Sequence, residues 1–92
     1  MDIYIKREPD ITLQEWINYV KSDNDLILAE KTEGINPITK QKLMINIKGR
    51  ALYGDVDIVY KEGCIGNDDF YDELPDKLKE IARSLGAEYF EL

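Results

Sequence analysis

Asp68, Asp69, Asp72, Glu73 and Asp76 fall within nine residues, "DDFYDELPD", that contain no base. Carboxylates at this density suit three kinds of chemistry: ligation of a hard cation, attraction of a basic protein surface, or the start of a helix, where free amides favour negative charge. The D-x-D-x-D-G spacing and closing glutamate of an EF-hand are missing, so a dedicated calcium loop is not expected. Asp55 and Asp57 form a D-x-D pair on one side of a predicted strand. Such a pair is common by chance and, without a glycine-rich phosphate loop, does not indicate phosphoryl or glycosyl transfer. The chain has no histidine, which removes Ser-His and Cys-His nucleophile pairs, imidazole bases and His-containing zinc sites. Its one cysteine, Cys64, has no intramolecular disulfide partner and reads as a small core residue in a reducing compartment. No catalytic residue, metal or cofactor is assigned.

Binding chemistry accounts for more of the acidic stretch. Asp72, Glu73 and Asp76 sit where a helix should begin, and the helix dipole favours acids there by about 0.3 to 1 kcal/mol each. Asp68 and Asp69 precede that turn and stand beside Phe70 and Tyr71. Acid next to aromatic suits a basic protein surface, since carboxylates pair with Lys and Arg while rings supply buried area and cation-π contact. The candidate partner-binding residues are therefore Asp68, Asp69, Phe70, Tyr71, Asp72 and Glu73, with Asp55 and Asp57 second.

The global charge agrees. Twelve bases against nineteen acids give a net charge of -7 over 92 residues. Six bases and eight acids leave -2 in residues 1–46, and six bases and eleven acids leave -5 in residues 47–92. Such a field repels nucleic acid and anionic lipid and steers basic proteins inward. Lys6-Arg7 and Lys40-Gln41-Lys42 are too sparse for a nucleic-acid patch. With 43% hydrophobic and 34% charged residues, the chain fits one domain, residues 1–92, with a single core. No apolar run reaches the roughly 20 residues of a membrane span, and "MDIYIKREPD" lacks the pattern of a signal peptide, so a cytoplasmic protein is expected.

The elements that must position these residues follow from periodicity. "DIYIK" alternates as a strand. "ITLQEWINYVKSDND" is a helix, with Thr12 and Glu15 as a capping box, Ile11 and Trp16 at the staple positions, and Leu13, Trp16, Ile17 and Val20 as the buried stripe. "LILAEK" and "KLMINIK" are strands separated by "TEGINPITKQ", a turn or long hairpin loop at Gly34 and Asn36-Pro37. In the second, Leu43, Ile45 and Ile47 form the dry face. Gly49 and Gly54 bracket a break. "DVDIVYKEGCIG" contains a strand and a tight turn at Glu62-Gly63. A final helix starts near Asp72 to Pro75, carries Leu74, Leu78, Ile81, Ala82 and Leu85 inward, and stops at Gly86 before the strand "AEYFEL". The expected fold class is α+β: a two-layer sandwich in the order β-α-β-β-β-α-β, an antiparallel-rich sheet with two helices on one face, a ferredoxin-like variant. Tyr4, Met44, Asp57 and Val59 are assigned to the opposite, open sheet face.

"ITLQEWINYVKSDNDL", "INPITKQ" and "KLKEIARSLGAEYFEL" together resemble small, largely uncharacterised bacterial proteins that share an I-T-x-x-E-W helix, an N-P-x-T turn and an I-A-x-x-L-G-A helix and strand. Some of these resemble immunity proteins of contact-dependent or polymorphic toxin systems. The likeness covers about half the chain and its motifs are structural; residues 48–72 lie outside it. It implies a non-enzymatic, acidic cytoplasmic immunity or inhibitor protein. Such a protein would neutralise a basic toxin domain, a nuclease, by occluding its active or nucleic-acid-binding surface, with no direct nucleic-acid or membrane contact. The alternative is a small regulatory or assembly module that homodimerises through the open sheet face or an edge strand.

Overall fold

The computed structural model describes residues 1–69 and 73–92. Its elements run β1 (Ile3–Lys6), α1 (Leu13–Ser22), β2 (Leu26–Leu28), β3 (Lys31–Ile35), β4 (Lys42–Asn46), β5 (Ala51–Tyr53), β6 (Val56–Lys61), β7 (Cys64–Asn67), α2 (Leu74–Leu85) and β8 (Glu88–Glu91). This is an α+β chain with an antiparallel six-stranded sheet, order β2-β5-β6-β7-β1-β8, and a separate two-stranded ribbon, β3-β4. Within the sheet, β8-β1-β7-β6 reproduces the strand order of a ferredoxin-like β-α-β-β-α-β unit, and β2 to β5 are inserted between α1 and β6.

Local chemistry sets the helix ends. Thr12 accepts from the Glu15 amide, and the Glu15 carboxylate accepts from the Thr12 amide, completing the capping box. Pro75 stands in the first turn of α2, where its missing N–H loses no intrahelical bond, and Gly86 closes the helix in a left-handed conformation at φ 66°. Arg7 joins two of these ends: its guanidinium pairs with Glu15 at 2.8 Å and donates to the Leu85 carbonyl at 3.0 Å.

Both helices lie on one face of the sheet. Trp16 and Val20 from α1 and Leu74, Leu78, Ile81 and Ala82 from α2 form one buried cluster with Ile3, Ile5, Leu26, Ala51, Ile58 and Ile65. Those strand residues occupy one side of the paired strands, as the alternation requires. On the other side Tyr4 pairs with both Gly66 and Phe90, and Gly66 with Val59, making one row across four strands. The rings of Tyr4 and Phe90 stack there at 5.3 Å. Gly66 permits that row: a Cβ at this position would stand 2.1 Å from the Ile3 carbonyl oxygen.

Five expectations need correction. Residues 31–35, read as the end of one strand and the start of a hairpin loop, form β3, which pairs with β4 from Lys31 opposite Asn46 to Ile35 opposite Lys42 and leaves only residues 36–41 for the turn. Residues 51–53, read as part of a break between glycines, form β5, because Gly54-Asp55 makes a two-residue turn that pairs Tyr53 with Val56. Met44 lies on the ribbon, not on the open sheet face. Leu43, Ile45 and Ile47, read as core-facing, remain 45, 43 and 38% exposed, because β4 pairs only with β3 and no core lies beneath it. Cys64 is partly exposed on the outward side of β7, and its neighbour Ile65 takes the core position.

The ribbon, residues 31–48, is a continuation of the β2–β5 pair beyond a bulge. Between the last sheet pair, Leu28 with Ala51, and the first ribbon pair, Lys31 with Asn46, one strand has two residues and the other four. The extra length is absorbed at 47–50, where the Arg50 amide donates back to the Ile47 carbonyl at 3.2 Å. Molecular extents of 45, 25 and 24 Å reflect the elongation.

Candidate functional site

The acidic residues singled out by sequence divide between two places. Asp55, from the β5–β6 turn, and Asp57, on the outer side of β6, line one surface concavity with Val59, Asn67, Asp68 and Asp69. The hairpin turn at Glu62-Gly63 produces this convergence. It pairs Lys61 with Cys64 and Val59 with Gly66, and continuing that register brings Asp57 opposite Asp68. Asn67 then holds the rim: its side-chain amide donates to the Asp57 carbonyl, and its oxygen accepts from the Asp69 amide at 2.8 Å. Sequence reasoning missed Asn67, although an Asn just before Asp-Asp at a strand end is a signal for such a turn.

Charge in the concavity is partly compensated. Asp57 pairs with Arg50 at 2.8 Å, and Asp68 lies 3.3 Å from the α-ammonium of Met1. Among the described residues, Asp55 and Asp69 make no ion pair. Four carboxylates around an opening of about 250 Å³ can receive the ammonium or guanidinium groups of a protein surface. Phe70, Tyr71 and Asp72 lie outside the described residues. Glu73 is exposed at the N-cap of α2 and lines a different concavity with Asp25, Tyr53, Asp76, Lys77 and Glu80.

That second concavity surrounds a buried lysine that the sequence did not single out. The Lys77 ammonium donates to Asp23 at 2.9 Å, to Asp25 at 3.0 Å and to Glu80, and stands 5.6 Å from the centre of the Tyr53 ring. Burial works against its charge, yet the bonds from Glu80, Asp23 and Asp25 prevail and raise its pKa. Asp23 is also partly desolvated, but the Lys77 and Tyr19 bonds outweigh that penalty and lower its pKa. Tyr19, desolvated and donating to Asp23 at 2.7 Å, is pushed up to about 12. All three ammonium protons are used, and the network ties the C-cap of α1, the turn before β2 and the first two turns of α2 together. Its chemistry is structural.

A further concavity, about 470 Å³, is lined by Tyr4, Lys6, Asp10, Lys61, Glu62 and Cys64 among others. Its walls mix charges, with Lys6 and Lys61 against Asp10 and Glu62. Among the described residues, no group of three or more Asp, Glu or Cys is arranged to hold a metal ion, and no helix is long and apolar enough to cross a membrane.

Sequence reasoning also missed the ribbon as a surface. Ile35, Ile38, Leu43, Met44, Ile45 and Ile47 are all exposed on it. Its tip is closed by its own bonds: the Asn36 side-chain oxygen accepts from the Ile38 amide at 2.9 Å, and the Asn36 amide donates to the Gln41 carbonyl at 2.9 Å. Comparison with protein-family models, with curated proteins and with solved structures returns no match.

Proposed function

We propose that this chain is a non-enzymatic protein-binding module that receives a basic partner at the concavity of Asp55, Asp57, Asp68 and Asp69. One observation carries the reading: two acidic pairs separated in sequence converge on one opening beside a sheet face that none of the described residues covers. A net charge of -7 adds long-range attraction, which raises association rates with basic partners and makes them salt-sensitive. In the setting that the sequence resemblance implies, the partner is a toxin nuclease domain and the chain is its cytoplasmic inhibitor. The acids would then stand in for the phosphates that the toxin binds.

The test is to co-express the chain with the protein encoded by the adjoining reading frame and to assay that protein's nuclease activity with and without it. Formation of a complex and loss of activity support the inhibitor reading. A neighbour that neither binds the chain nor cuts nucleic acid contradicts it.

A second reading, a homodimeric regulatory or assembly module, is favoured by the row of Val59, Tyr4 and Phe90 on the uncovered sheet face. Light scattering that finds a stable dimer and no basic partner would support it.

A further inference from the structure

The ribbon carries charge opposite to that of the rest of the molecule. Residues 31–48 hold Lys31, Lys40, Lys42 and Lys48 against Glu33 alone, a net of +3; with the whole chain at -7, the remainder carries -10. One side of the ribbon is apolar. Leu43 and Ile45 share it with Ile47, and their cross-strand neighbours are Gly34 and Thr32, which are too small to cover them. β3 and β4 pair only with each other, so both outer edges present unpaired backbone groups. A two-stranded ribbon with a bare aliphatic face is at best marginally stable in water by itself, so a surface that covers this face stabilises it.

We propose that residues 31–48 are an exchange arm. In a dimer of this chain, the arm of each copy lies across the open sheet face of the other. Leu43, Ile45 and Ile47 then rest on the row of Val59, Tyr4 and Phe90, and the tip of the arm, with Lys40 in its turn and Lys42 at the start of β4, lies at the corner that carries Asp55, Asp57, Asp68 and Asp69. The inference rests on the reading of that concavity as a receiver of basic protein surface, and it names the receiver's occupant in the absence of another partner. Charge selects a second copy over a nucleic acid or an anionic bilayer, since either would meet the -10 remainder as well as the +3 arm. Size agrees. Eighteen arm residues plus a receiving face approach the roughly 20 to 30 residues a side of a standard interface. Reciprocal exchange about a twofold axis also closes the assembly at two copies.

The bulge supports an arm that is aimed rather than loose. The Glu30 carbonyl accepts from the Ile47 amide at 2.6 Å, and its carboxylate accepts from the Gly49 amide at 2.9 Å. The arm therefore leaves the body in one direction, which reduces the ordering entropy lost on docking.

Sedimentation velocity on the full chain tests the proposal with two charge-reversed variants, Lys40→Glu/Lys42→Glu on the arm and Asp55→Lys/Asp69→Lys on the face. Asp55 and Asp69 are chosen because they are exposed and make no ion pair among the described residues. Wild type is expected to be a dimer at low salt, and each variant alone to dimerise roughly a hundredfold more weakly. An equal mixture of the two is expected to recover the dimer, since both arm–face contacts are then complementary again. A monomeric wild type at low salt overturns the proposal, including one that instead binds a duplex oligonucleotide or an anionic vesicle. So does an arm reversal that abolishes the dimer while the face reversal leaves it intact. The two readings fail separately: if wild type is monomeric but Asp55→Lys/Asp69→Lys loses a basic partner that wild type holds, the exchange arm falls and the receiving concavity stands.

Discussion

The indole N–H of Trp16 donates to the carbonyl of Gly49 at 2.7 Å, tying the middle of α1 to the bulge from which the ribbon departs. Both residues are buried, and Gly49 sits at φ 79°, where a Cβ would come within 2.8 Å of Leu13 and 2.9 Å of Tyr60. The core residue expected from the helix pattern thus also aims the arm. Trp16→Phe keeps an aromatic ring but leaves a buried carbonyl unpaired, and should destabilise the fold by about 2 kcal/mol. Gly49→Ala should cost a comparable amount through backbone strain and overlap, on the order of 1 to 3 kcal/mol. Urea denaturation of both variants checks this; no loss in either would mean the bulge is not held as described.

Lys77→Met removes the cation among Asp23, Asp25 and Glu80. Asp23 is the most buried of the three, with 12% of its side chain exposed, and it then lacks its counter-charge. Breaking such a pair should cost about 3 kcal/mol near neutral pH. The penalty should shrink in acid, as Asp23 becomes protonated. A variant as stable as wild type at neutral pH would show that the network contributes nothing net.

Glu15 titrates at about 2 in the fold, below its ordinary 4.5, because it accepts from Arg7 and from the Thr12 amide. Asp23 is shifted in the same direction. A depressed carboxylate binds protons more readily in the unfolded chain than in the folded one. Its contribution is therefore fully present above the unfolded value and is lost as pH falls through the folded one. Stability should be flat near neutrality, begin to fall below about pH 4.5 and continue to fall toward pH 2. In Glu15→Gln the fall should be shallower, as read from melting temperature against pH.

Gly66→Ala should separate β7 from β1, since the added Cβ would lie 2.1 Å from the Ile3 carbonyl oxygen and 2.7 Å from the Tyr4 Cα. Backbone cannot move aside as a flexible side chain can, so a loss of roughly 3 kcal/mol or failure to fold is expected. A soluble variant with wild-type melting would refute the close approach of the two strands.

Features decided by neighbours in sequence were legible. The Thr12–Glu15 box, Pro75, Gly86 and the Glu62-Gly63 turn each depend on a few adjacent residues, and each sits where the pattern put it. The outward side of the sheet, with Tyr4, Asp57 and Val59, followed from alternation alone. Alternation says which residues favour burial but not whether a core lies beneath them, so it marks Leu43, Ile45 and Ile47 as a dry face that the structure leaves exposed. Lys77 was invisible for another reason. Its partners lie at positions 23, 25 and 80, and only the packing of α2 beside the end of α1 brings them together. The meeting of Asp57 with Asp68 stood in between: it follows by counting outward from the Glu62-Gly63 turn, once that turn is taken to have two residues.

The proposed receiving concavity is tested most directly by the association rate of the chain with a basic protein partner, measured by stopped flow at low and high salt. For wild type the rate should be high at low salt and fall steeply as the Debye length shrinks from about 30 Å at 0.01 M to about 3 Å at 1 M. Asp55→Lys/Asp69→Lys should associate at least about tenfold more slowly at low salt and converge on wild type at high salt. Equal rates for the two proteins at low salt would contradict the assignment of this concavity as the binding site.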